Sequence, residues 1–212
     1  MRSWIWVMTA VAAAALAAGC GRNAARQDPE AVADQIVNDA LGMTETGNVA
    51  GALAHLESGL ATMRDPQARS RLFAFEIGLR LNQGDLEGAQ ARTLQALAAN
   101  NGAILTLGTL GMIEEQLVQQ EAGYEAVLAW CDRLEAVGLS GDLAAGVLGN
   151  RLNALLELGR HADVMALLEG PVWALPDAAA EALCNRVVQA AIGQRRLEEA
   201  QAAIDLVARQ GA

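Results

Sequence analysis

A spacing of about 37 residues recurs along the chain and constrains its fold more than any other feature. Small apolar residues follow one another at intervals of 37, 37, 38 and 36 residues. Each lies early in a stretch whose apolar residues are spaced by three and four, as in an amphipathic helix. The set comprises Ala52, Ala89, Ala126, Val164 and Ala200. Such a period predicts a fold built from repeated units.

A second residue type keeps the same period. Gly47, Gly84 and Gly159 each stand five positions before one of the small residues, and Glu121 and Arg195 hold that place in the other two units. Glycine adopts a positive φ at little steric cost, which suits a tight turn between helices. A small side chain early in the second helix lets the first helix approach closely. The pattern therefore predicts five pairs of antiparallel helices.

A further glycine pattern confirms the register independently. The segments "LGTLGM" and "AGVLGN" align so that Gly108 and Gly146 are 38 residues apart, as are Gly111 and Gly149. Prolines that suit the first turn of a helix, and aspartates that suit its cap, mark where first helices begin. These are Pro29, Pro66 and Pro176, with Asp28, Asp65 and Asp177.

Composition favours helices throughout. Hydrophobic residues make up 53% of the chain but aromatic residues only 3%. Most of the apolar residues are alanine and leucine, which favour helices, whereas runs of β-branched and aromatic residues, which favour strands, are scarce. The sequence predicts an all-α protein.

Two segments resemble the tetratricopeptide repeat (TPR), a helix–turn–helix unit with a period of 34 residues. "GDLEGA" and "RRLEEA" are similar to the turn and second helix of that unit, and Ile77-Gly78 resembles the large–small pair of its first helix. The period here is longer, and aliphatic residues occupy most of the usually aromatic positions. The resemblance implies a right-handed α-solenoid of about five TPR-like repeats over residues 29–212.

In tetratricopeptide proteins the first helices line a concave groove that holds a peptide or a partner helix. Asparagine side chains in such a groove could bond the amides of a ligand backbone. The alternative interpretation of Gly108, Gly111, Gly146 and Gly149 is that they permit tight helix packing. The groove residues that the resemblance implies are Ala74, Gly78, Asn82, Gly108, Gly111, Glu115, Gln119, Gly146, Gly149, Asn153, Glu157, Asn185 and Gln189.

The N-terminus has the pattern of an export signal. Arg2 precedes an apolar run of about 15 residues, from Trp4 to Ala18. A spanning helix requires roughly 20 apolar residues, whereas the core of a signal peptide requires about 7–15. The run predicts a signal peptide over residues 1–19, and an uncleaved membrane helix is the alternative.

The segment "LAAGC", which ends at Cys20, resembles the lipobox of bacterial lipoproteins. In that family the cysteine is acylated and becomes the first residue of the mature chain. Ala17 stands where the family usually has a larger aliphatic residue. Gly21 follows the cysteine where an aspartate would favour the inner membrane. The resemblance implies lipidation at Cys20, a tether over residues 20–28 and a place on the periplasmic face of the outer membrane.

Other function classes find little support. The formal net charge is −10 without any basic cluster, which argues against nucleic-acid binding. His55 and His161 have no metal-like spacing to a partner, and no nucleophile-elbow, phosphate-loop or dinucleotide motif occurs. We expect neither an enzyme nor a cofactor or metal site. Cys131 and Cys184 could form a disulfide in an oxidising compartment, but two buried thiols are the favoured reading.

The sequence therefore predicts a membrane-anchored scaffold of the bacterial cell envelope that binds a protein partner. One alternative is a structural or assembly subunit of an envelope complex, as in outer-membrane protein or pilus assembly. A glycan-binding or small-molecule-binding protein is the remaining one, and the scarcity of aromatic residues argues against it.

Overall fold

A computed structural model describes residues 28–99, 104–175 and 177–210, and this part of the chain is all-α. The predicted signal peptide, the lipidation residue Cys20 and all of the tether except Asp28 lie outside the described residues, as does Pro176. Within the described ranges, no helix is both long enough and apolar enough to cross a membrane.

In the described ranges, ten α-helices follow one another in five pairs. A 3₁₀ helix, Pro171–Ala174, lies between the fourth and fifth pairs. The helices are α1 (Pro29–Glu45), α2 (Val49–Thr62), α3 (Pro66–Asn82), α4 (Leu86–Ala98), α5 (Leu107–Val118), α6 (Gly123–Val137), α7 (Gly141–Glu157), α8 (His161–Glu169), α9 (Asp177–Gly193) and α10 (Leu197–Gln210).

Each pair packs against its neighbour through its first helix. The first helices form a continuous series, in which α1 contacts α3, α3 contacts α5, α5 contacts α7 and α7 contacts α9. The second helices lie on the other side, where α4 contacts α6 and α8 contacts α10. One side of the molecule is therefore formed by odd-numbered helices and the other by even-numbered ones, with the core between them.

The proline boundaries are confirmed at α1 and α3. Pro29 and Pro66 are the first residues of these helices, where the missing N–H has no intrahelical role. The carboxylate of Asp28 accepts a hydrogen bond from the Glu30 N–H at 3.1 Å, and that of Asp65 accepts one from the Ala68 N–H at 2.9 Å. These bonds satisfy donors that the first turn leaves unpaired.

The turn glycines adopt the predicted conformation. Gly47, Gly84 and Gly159 have φ angles of 79°, 75° and 67° in the three-residue turns between paired helices. Arg195 holds the same place in the last pair with a φ of 60°. A residue with a Cβ is strained in this left-handed conformation.

We expect Arg195→Gly to raise the free energy of unfolding by about 1 kcal/mol, because glycine removes a left-handed penalty of roughly 1–2 kcal/mol at some cost in flexibility. Urea unfolding followed by circular dichroism would measure the difference. The reverse change, Gly84→Ala, should lower stability by a similar amount. A loss of stability in Arg195→Gly would contradict this account.

The third pair departs from the predicted register. Its turn, residues 119–122, has four residues, whereas the other four turns have three. The extra residue shifts α6 so that Val127 is fully buried, while Ala126, the predicted core residue, is only half-buried. Ala52, Ala89, Val164 and Ala200 are buried as expected. The prediction at Ala126 was wrong by one position.

Candidate functional site

One stripe of α5 lies open between the two neighbouring first helices. Gly108, Glu115 and Gln119 are exposed and Gly111 is half-exposed, and together they follow one face of the helix. On one side, the side chain of Met112 reaches Gly78 of α3, where an added Cβ would lie 4.0 Å from its sulfur. This arrangement leaves the predicted groove residues of α5 free to meet a ligand.

The two glycine pairs have different surroundings. A Cβ added to Gly111 would meet nothing within 4 Å, and one added to Gly108 would meet only the Thr106 hydroxyl at 3.6 Å. A Cβ added to Gly146 would overlap the side chain of Leu107, the first residue of α5. The glycine of α7 therefore gives room to a neighbouring helix, whereas those of α5 face open space.

Gly149 also serves packing. A Cβ at this position would lie 3.3 Å from the Leu183 side chain and 3.7 Å from Arg186 Nη1, both on α9. The same Arg186 nitrogen donates a hydrogen bond to Asn153 Oδ1 at 3.2 Å. On α7 the helix-packing reading of the glycines thus fits the geometry, and Asn153 already has a partner.

The remaining predicted groove residues lie on exposed helix surfaces. Asn82 is the last residue of α3 and Glu157 the last of α7, and both are exposed. Asn185 and Gln189 are exposed on α9. Ala74 lines a cleft at the N-terminal half of α3.

That cleft continues along the first helices. It has a volume of about 590 Å³, and Glu30, Gln67, Arg71 and Thr106 contribute to its walls. A second cleft of about 520 Å³ begins at Thr106 and extends to Ser140, Asp142 and Leu143 at the start of α7, with Gly108 in its wall. We call the two clefts together the trough.

The trough residues at the beginnings of the first helices were not predicted from the sequence. Gln67 and Arg71 lie seven and three positions before Ala74, which is two turns and one turn back along α3, so the helical period could have identified them. Thr106 caps α5 through its hydroxyl, which accepts a hydrogen bond from the Thr109 N–H at 3.1 Å. Thr106 lies in the connection between α4 and α5, and the repeat pattern does not predict the length of that connection.

Two of the three charged side chains that line the trough are acidic. Glu30 and Asp142 lie in its walls without an ion pair in the described residues. Arg71 is held by Asp34 of α1, with 2.6 Å between Nη2 and Oδ1. A ligand segment with positive charge and apolar side chains would suit these walls.

We expect Gly111→Ala to raise the free energy of unfolding by about 1 kcal/mol, because alanine favours a helix and nothing occupies the added space. Gly146→Ala should give a smaller gain or a loss, since Leu107 must move aside. Thermal and urea unfolding of both variants would measure the contrast. Equal effects would show that the two glycines do not differ as the geometry indicates.

Glu114, also on α5, is half-buried, and burial raises its pKa. Its charge is close enough to Cys131 of α6 to raise the pKa of that thiol as well. A carboxylate whose ionisation is disfavoured by folding reduces stability once it is charged.

Glu114→Gln is therefore expected to stabilise the protein at neutral pH. A carboxyl whose pKa is raised in the folded state contributes stability that is fully present below its unfolded-state pKa. That contribution is lost as the pH rises through the folded-state pKa. The advantage of the variant should shrink as the pH falls and vanish where Glu114 is protonated in both states. Urea unfolding across an acidic to neutral pH series would measure it, with the neighbouring exposed Glu115→Gln as control.

Both cysteines that the structure describes are buried free thiols. Burial raises the pKa of Cys131 to about 12 and also raises that of Cys184. The Cys131 sulfur lies 3.7 Å from the carbonyl oxygen of Val147 on α7. The favoured reading of two buried thiols is confirmed, and neither is suited to nucleophilic chemistry.

Metal-binding clusters are absent from the described ranges, where no group of three or more His, Cys, Asp or Glu residues could hold an ion. His55 Nε2 lies 3.8 Å from Asp39 Oδ2, which links α2 to α1.

Compared with known proteins, the sequence matches no family model, no curated protein and no solved structure.

Proposed function

We propose that this protein is a membrane-anchored scaffold of the bacterial cell envelope that binds a protein partner in the concave groove of a TPR-like α-solenoid. Five helix pairs with a period of about 37 residues support a right-handed repeat architecture. Repeats of this kind present their first helices as one extended surface. The protein acts by binding rather than by catalysis.

The observation that carries the proposal is the open stripe of α5 next to the trough. The glycines at 108 and 111 leave helix backbone accessible, and the trough continues across the starts of α1, α3, α5 and α7. An extended or helical segment could lie along this surface and contact four repeats at once. Glu30 and Asp142 favour a partner segment that carries lysine or arginine.

The lipid anchor gives the proposal its location. Acylation of Cys20 would hold the repeat domain at the membrane, and the tether of residues 20–28 would keep it within about 30 Å of the bilayer. Gly21 after the cysteine favours the outer membrane. The partner would then be a protein of the periplasm or of that membrane.

Site-specific photo-crosslinking tests the groove. A benzoyl-phenylalanine placed at Glu115 should give an adduct with a protein partner in envelope membranes. The matched control is Ala129, which is exposed on α6 on the opposite side of the molecule. Adducts at both positions, or at neither, would contradict a partner in the groove.

A charge variant makes the test specific. Glu30→Arg combined with Asp142→Arg should reduce the yield of the Glu115 adduct about tenfold or more if a cationic segment occupies the trough. Both side chains are exposed, so the fold should be unaffected. An unchanged yield would refute the acidic trough as the recognition surface.

A further inference from the structure

The chain enters the described fold at one end of the trough. Asp28, whose carboxylate caps α1, immediately precedes Pro29, and Glu30 in the first turn of that helix lines the first cleft. Gln67 in the first turn of α3 lines the same cleft. The segment that joins Cys20 to the fold therefore attaches at the rim of the trough, and an anchor at Cys20 holds this edge of the molecule.

The two edges of the repeat series lie at different distances from such an anchor. The trough runs along the edge at which α1, α3, α5 and α7 all begin. Helices α1 and α3 each contain 17 residues, so the edge at which they end is about 25 Å away. The tether from Cys20 to Asp28 spans at most about 29 Å. With a lipid at Cys20, the trough edge lies within about 30 Å of the bilayer and is on average the nearer of the two edges.

Charge distinguishes a protein segment from the lipid surface as the occupant of the trough. Glu30 and Asp142 are exposed acidic residues in its walls, and the third charged residue, Arg71, is held by Asp34. The whole chain has a formal net charge of −10. Such a surface is repelled by anionic lipid headgroups and attracts lysine and arginine side chains. The trough therefore favours a basic protein segment over the membrane surface itself.

We propose that the trough binds the basic juxtamembrane segment of an integral protein in the same membrane as the anchor. Such a segment leaves the bilayer next to a membrane-spanning element, so it and the trough occupy the same thin layer. This confinement raises their effective concentration, as it does for linked binding modules. An extended chain covers about 30 Å in roughly ten residues. The inference rests on the proposed function and narrows it, because it excludes a partner that is soluble in the periplasm.

Energy transfer in vesicles tests the orientation without any partner. Gln67→Cys and Gln83→Cys place a fluorophore at opposite ends of α3, where both side chains are exposed. Cys131 and Cys184 are buried and Cys20 is acylated, so the introduced thiol is the one that reacts. Transfer to an acceptor dye on the lipid headgroups should be about twofold or more higher from position 67, which is about 25 Å nearer the anchored edge. Equal transfer would refute the orientation and leave the proposed function untouched.

Photo-crosslinking at Gln67 identifies the occupant. In envelope membranes, benzoyl-phenylalanine at this position should give an adduct with an integral membrane protein. Mass spectrometry should place the adduct beside a lysine or arginine, within about ten residues of a membrane-spanning segment. Gln83, exposed at the opposite edge, is the matched control and should give none.

The other outcomes separate this inference from the proposed function. An adduct with a soluble periplasmic protein would refute the juxtamembrane partner and leave a protein-binding groove standing. An adduct with lipid would assign the trough edge to the membrane surface and refute the inference. An adduct at Glu115 without one at Gln67 would place the partner away from the trough edge. Absence of adducts at both positions would count against the proposed function as well.

Discussion

Arg92→Leu is expected to lower the free energy of unfolding by about 3 kcal/mol, because it removes the principal partner of a fully buried carboxylate. Glu76 of α3 is 0% exposed and accepts hydrogen bonds from Arg92 Nε at 2.9 and 3.2 Å. Arg80 supplies longer bonds of 3.3 Å and also pairs with Glu57 and Asp85. Arg92 additionally lies 5.3 Å above the Phe73 ring, so its loss also removes a cation–π contact.

Two further variants separate charge from packing. Glu76→Leu combined with Arg92→Leu should recover most of the lost stability, because a buried apolar pair can replace a buried ion pair at little cost. Arg71→Leu, which breaks the exposed pair with Asp34, should change stability by about 1 kcal/mol or less. Urea unfolding of all four proteins gives the comparison. Equal costs for Arg92→Leu and Arg71→Leu would mean that the burial of Glu76 does not strengthen its pairing.

Features that depend on local backbone chemistry were predictable from the sequence. The glycines at positions 47, 84 and 159 were expected in turns because only glycine adopts a positive φ without strain, and each does so. Pro29 and Pro66 begin their helices for an equally local reason. The period of the apolar residues fixed the number of helices, since each pair must bury one face against the next.

Features that depend on contacts between distant residues were not predictable. The sequence gives no sign that Glu76 is buried, because its partner Arg92 lies 16 residues away on another helix. Gly108 and Gly146 look alike in the sequence, yet Leu107 fills the space beside only one of them. The trough likewise depends on how the starts of α1, α3, α5 and α7 are arranged relative to one another. Each of these is set by packing rather than by local propensity.

Cys20→Ser is expected to release the protein from the membrane and to abolish incorporation of labelled palmitate. Each buried methylene of an acyl chain contributes about 0.8 kcal/mol to membrane binding, and stable attachment takes more than one chain. The serine hydroxyl lacks the thiol on which the lipoprotein pathway acts. Fractionation of cells with palmitate labelling measures both effects.

Cys184→Ser is the matched control for lipidation. Cys184 is buried on α9, so a serine there should leave both the label and the membrane fraction unchanged. Label that persists in Cys20→Ser would refute lipidation at this residue. If the label disappears but the protein stays in the membrane fraction, the acyl chain is not what holds it there, and either the apolar run from Trp4 to Ala18 as an uncleaved helix or a membrane-bound partner does.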